Sequence, residues 1–71
     1  MLDTYELEKV IRQQGYTKKQ IAEHLGLSEQ GLLNKMQRKS EFKSSEISML
    51  IDKLSIPTDR VVAIFFNHDV N

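Results

Sequence analysis

Gly26 lies between two short segments that each carry their own helix-start signal, and no other feature restricts the fold of this chain as much. Thr17 offers an N-cap with Gln20 in the reciprocal position, Ile21, Ala22 and Leu25 form an apolar stripe, and Gly26 stops the segment. Ser28 follows two residues later as another N-cap and opens a segment with Leu32, Leu33 and Met36 that runs to about Gln37. Ala22 is small enough for two helices to cross closely, while Ile21, Leu25, Leu27 and Leu32 fill the wedge between them. Glycine at position 26 permits the sharp positive-φ turn that sends the third helix across the second.

The rest of the chain continues in the same idiom. Asp3 as N-cap and Glu6 at the third helical position suggest a capping box, and Leu7, Val10 and Ile11 at helical spacing predict a first helix over about Thr4 to Gln14, ended by Gly15. After the polar loop Arg38-Lys39-Ser40-Glu41, Phe42 turns back to the core. Ile47, Leu50, Ile51 and Leu54 then predict a fourth helix from Ser44 or Ser45 to Leu54. Ile56-Pro57 breaks that pattern, Thr58 is read as the next cap, and Val61 to Phe66 make a fifth segment. No β alternation interrupts the series. The expectation is an all-α fold, a bundle of about five helices in one domain over 1–71, with a disordered tail over about 67–71.

With 71 residues there is room for a single modest core, and the absence of Cys removes disulfides and thiolate zinc sites as sources of stability. The start, Met1-Leu2-Asp3-Thr4-Tyr5-Glu6, has neither a basic nor an apolar run, and no stretch is long enough to cross a bilayer. A soluble, unprocessed, cytoplasmic protein is expected. Ten basic residues balance ten acidic ones, and the isoelectric point near 6.7 gives no general support for a polyanionic partner. The distribution is uneven, however. Between Arg12 and Lys43 seven basic residues face three acidic ones, an excess of four positive charges that the two ends cancel. A fold that gathers this central charge on one face would suit a polyanion.

The run Thr17-Lys18-Lys19-Gln20-Ile21-Ala22-Glu23-His24-Leu25-Gly26-Leu27-Ser28 matches the signature T-x-x-x-[LI]-A-x-x-L-G-[VIL]-S in full, and so resembles the Cro and phage-repressor (Xre) family of helix-turn-helix regulators. Glu41-Phe42, Ser45-Glu46-Ile47 and Phe65-Phe66 look more loosely like small phage-encoded regulators of Gram-positive hosts. The resemblance implies a lambda-repressor-like bundle with a helix-turn-helix over about 17–37 and a transcriptional regulator acting on a double-stranded DNA operator at the nucleoid of a bacterial host cell. In that family helix three lies in the major groove and the start of helix two meets phosphate. Carried onto this chain, Ser28, Glu29, Gln30 and Asn34 become the candidate readers, and Thr17, Lys18 and Lys19 the phosphate contacts. Arg38, Lys39 and Lys43 would flank the groove. Gln30 or Asn34 pairs naturally with adenine, whereas Glu29 accepts only from cytosine N4 or repels the backbone.

A second class of function is open: a modulator of repression, or antirepressor, that seizes a partner phage repressor with the same surface. Small modulators of this kind in temperate phages look like this chain in length and motif. Gly31, which costs about 1 kcal/mol relative to Ala inside a helix, and the outward Leu33 would form an apolar, closely approachable spot, and Glu29 would meet a basic partner. Leu33 is also a candidate core residue, or a contact for a thymine methyl. On the last helix Val61, Ile64 and Phe65 can face inward, leaving Val62 and Phe66 exposed as a homodimer or partner contact. His24 and His68 lack ligand partners at helical spacing, so no metal is expected. With no catalytic constellation and no phosphate-cradling glycine loop, the chain is expected to be no enzyme, to need no cofactor and to take no small-molecule substrate.

Overall fold

The computed structural model describes residues 2–66. Five helices follow one another: α1 (Thr4–Gln13), α2 (Lys18–Leu25), α3 (Glu29–Met36), α4 (Ser44–Leu54) and α5 (Thr58–Phe65), with no strand among the described residues. None is long and apolar enough to cross a membrane. The expected tail over 67–71 lies outside the described residues.

The starts of the helices follow local chemistry. Asp3 accepts from the Glu6 N–H at 3.1 Å, but the Glu6 carboxylate does not return the bond. It pairs instead with the Arg60 guanidinium of α5, so the expected capping box is only half made. At α2 the box is complete: Thr17 Oγ1 accepts from the Gln20 N–H at 3.1 Å and Gln20 Oε1 accepts from the Thr17 N–H at 2.9 Å. Ser28 Oγ accepts from the Gly31 N–H at 3.0 Å to start α3. Helix α4 starts at Ser44 with Lys43 as its N-cap residue, and the cap bond runs from the Lys43 N–H to Glu46 Oε1 at 2.8 Å. Thr58 is not a cap. Pro57 occupies that position and its carbonyl accepts from the Arg60 and Val61 N–H groups, so Thr58 is already helical.

Four of the helices end alike. Beyond α1, α2, α3 and α4, Gly15, Gly26, Arg38 and Ser55 take φ values of +83°, +72°, +66° and +52°. In each case the next residue donates its N–H five positions back, as Tyr16 does to Ile11 (3.1 Å) and Leu27 to Ala22 (2.8 Å). Lys39 to Asn34 (2.8 Å) and Ile56 to Ile51 (3.1 Å) repeat the pattern. The left-handed residue makes each helix stop and turn. It also shortens the first and third helices by one residue relative to the sequence expectation, leaving Gln14 and Gln37 as C-caps.

The core draws on every helix: Leu7, Ile11, Ile21, Ala22, Leu25, Leu32, Met36, Leu50, Leu54, Ile64 and Phe65, with Ile56 from the α4–α5 link. Phe42 folds back on Phe65 edge to face, with ring centroids 6.4 Å apart. Helix α2 packs on α3, and α1 packs on α5, where the Asp3 N–H donates to the Ile64 carbonyl at 2.6 Å. The Thr4 hydroxyl donates to the Met36 carbonyl and ties the start of α1 to the end of α3.

Candidate nucleic-acid interface

The turn Gly26-Leu27-Ser28 determines what α3 shows to solvent. Leu27 packs against the core and anchors the turn from inside, while Leu32 and Met36 hold the inner face of α3. The opposite face then has to point outward. Ser28, Glu29, Gln30 and Gln37 are exposed, and Gly31, Leu33 and Asn34 are half-exposed. The candidate readers Ser28, Glu29, Gln30 and Asn34 are thus gathered on one helix and its cap. Gln30 and Asn34 stand one turn apart, and Gln30 Nε2 donates to Asn34 Oδ1 at 3.0 Å. This bond leaves Gln30 its Oε1 acceptor and one N–H, and leaves Asn34 its amide N–H donors and the second lone pair of Oδ1.

Gly31 is accounted for by its neighbours. A Cβ there would lie 3.1 Å from Ser28 Oγ and 3.9 Å from Leu27 Cβ, so a side chain would press on the very hydroxyl that caps the helix. Leu33 is outside the core cluster and half-exposed, which removes the option that it is a core residue.

The basic residues divide into two groups. Lys18 opens α2, and its ammonium lies 2.7 Å from the Glu8 carboxylate of α1. That hydrogen bond and the charges of Lys18 and Arg12 outweigh a smaller effect of burial and hold Glu8 below the usual carboxylate range. Lys35 is largely buried, with its ammonium 2.6 Å from Glu46 Oε1. Burial pushes the Glu46 carboxyl up. The Lys35 bond, the Lys43 N–H and the charges of both lysines outweigh that effect, and its pKa is lowered overall. Lys19, Arg38, Lys39 and Lys43 are exposed, as is Thr17 at the start of α2.

Val62 and Phe66 lie elsewhere, on the outer face and end of α5, 58% and 49% exposed. Phe66 nevertheless reaches the end of α3. With Leu2, Phe42, Ile47 and Phe65 it lines an open groove of about 440 Å³ whose lip carries Lys35, Arg38, Ser40 and Glu41. His24 is exposed, and His68 lies outside the described residues. Glu8 and Glu46 were missed in the sequence. Only Glu46 had a local signal, its position three residues after the helix-start residue Lys43.

The fold and this surface define a small five-helix protein that holds out one polar helix beyond a glycine turn. The chain belongs to the family described as DUF739, a protein family of unknown function, whose model matches residues 2–68. No curated protein matches the chain.

Proposed function

We propose that this protein is a DNA-binding transcriptional regulator that docks α3 in the major groove of an operator. The observation that carries the reading is the Gln30–Asn34 pair, exposed on α3 and aligned by its own hydrogen bond. An α-helix fits the major groove, and an amide offering one acceptor and one N–H matches adenine N6–H and N7. Gln30 keeps an unshared oxygen and one N–H and is the more exposed of the two, so Gln30 is assigned to adenine. Phosphate contacts fall to Lys19, Lys39 and the N-terminal N–H groups of α2. The resemblance of Thr17 to Ser28 to the Cro and phage-repressor signature supports the same reading, as does an exposed Val62–Phe66 surface suited to pairing two copies on a symmetric site. The activity is binding without catalysis, carried out at the host nucleoid.

A second reading has its own support. Lys18 and Lys35 are engaged by Glu8 and Glu46, and α3 presents Glu29 and Leu33 beside its amides. Such a surface suits a modulator that covers the basic reading helix of a partner repressor.

Fluorescence anisotropy of the purified protein on operator DNA, with and without a candidate repressor, separates the two. Tight binding by the protein alone that weakens steeply with salt supports the regulator. Gln30→Ala should then lose about 1–3 kcal/mol of discrimination at one base pair. Absence of DNA binding, together with release of the repressor from its site, would establish the modulator instead.

A further inference from the structure

We propose, resting on the DNA-docking reading above, that Glu8 of α1 holds DNA affinity down by occupying Lys18 at the phosphate-facing start of α2. The two side chains meet at 2.7 Å and remain 32% and 40% exposed, so the pair sits at the surface where a phosphate would arrive. Lys18 is the first residue of α2, at a helix start whose dipole favours an anion. A lysine already neutralised by a carboxylate releases no counterion on docking.

The other engaged lysine is different. Lys35 and Glu46 have side chains only 13% and 7% exposed, and Glu46 also caps α4, so their pairing belongs to the fold. Opening Glu8–Lys18 leaves the helix start intact, because the reciprocal Thr17–Gln20 bonds cap α2 without either residue. Glu8 also keeps its charge at neutral pH, since the Lys18 hydrogen bond lowers its pKa. The pair is therefore a removable brake on one phosphate contact. Glu8 touches no base or phosphate itself and acts through Lys18.

The test compares the wild type with Glu8→Gln, Lys18→Ala and the double variant on a duplex of about 20 base pairs, by anisotropy across a salt series, with thermal melts to verify folding. Glu8→Gln should bind more tightly and with a salt slope steeper by about 0.9, so that its advantage is about threefold larger at roughly 50 mM than at 200 mM salt. In the Lys18→Ala background the same substitution should change nothing. An equal gain in that background would show Glu8 acting as a diffuse charge, and would overturn the proposal. Unchanged or weaker binding by Glu8→Gln overturns it too, while leaving the DNA reading in place as long as the wild type binds. If none of these proteins binds DNA at low salt, the DNA reading itself fails and this proposal with it.

Discussion

Glu46 serves two helices from one position. Its carboxylate accepts from the Lys43 N–H at the start of α4 and from the Lys35 ammonium of α3, and the residue is only 5% exposed. Removing the negative charge leaves an ammonium with little water and no counter-charge, the costly half of a broken buried pair. Glu46→Gln, which can still accept the cap bond, is expected to lose about 1–3 kcal/mol at neutral pH, measured by urea unfolding. The sign of the pH dependence follows from the direction of the shift. The folded-state pKa lies below the unfolded value, so the stabilisation is complete above the ordinary carboxylate range and is lost as pH falls through the folded value. The gap between wild type and Glu46→Gln should therefore narrow on going from neutral pH to about pH 3, and a constant gap would count against the ion pair. Little of this was legible in the sequence. Glu46 reads as one more polar residue near a helix start, because its partner Lys35 sits eleven positions away on another helix.

The helices themselves were mostly legible because their signals act over three or four residues. Thr17 with Gln20, Ser28 before Gly31, and Gly15 and Gly26 at left-handed stops all lie within one turn of the bonds they make. The other two left-handed stops, Arg38 and Ser55, carry no such signal, since neither residue type favours that conformation. This contrast gives opposite outcomes for two substitutions at equivalent backbone positions. Gly26→Ala should cost about 1–2 kcal/mol, because space is open there but the φ of +72° strains any Cβ. Ser55→Gly should stabilise by about 0.5–1 kcal/mol as that strain is relieved, partly offset by the greater freedom of glycine in the unfolded chain. For a domain of this size the two shifts amount to several degrees in opposite directions in a calorimetric melt. The displaced cap at α5 is of the same kind: Thr58 is a better capping residue by type, but the extended Pro57, at φ −68° and ψ 154°, enters the helix one position earlier.

At the scale of the whole molecule, a single core is held in a chain with no Cys to form a disulfide, and its apolar contacts outweigh surface charges in stability. Leu7 is fully buried where α1 meets the bundle, whereas the Arg60–Glu6 pair that joins α5 to α1 has side chains 48% and 24% exposed. Leu7→Ala is expected to cost about 2–5 kcal/mol, a large share of the roughly 4–11 kcal/mol a chain of this length has available. Arg60→Ala should cost less than about 1 kcal/mol in the same urea titration, because solvent screens a pair of that exposure. A larger loss from Arg60 than from Leu7 would mean that the α1–α5 contact, and not the core, holds the fold. The number of helices, their order and most of their inner faces were determined by the sequence alone, since apolar periodicity and capping are local, whereas the side on which Leu33 of α3 lies was settled only by packing. Tertiary structure alone decided the partners of the charges. Lys18 meets Glu8, Lys35 meets Glu46, Glu6 turns from its own helix start to Arg60 fifty-four positions on, and the ends of α3 and α5 close around one apolar groove. Charges on separate helices select one another only after packing has set the helices side by side, and the local pattern contains no record of that distance.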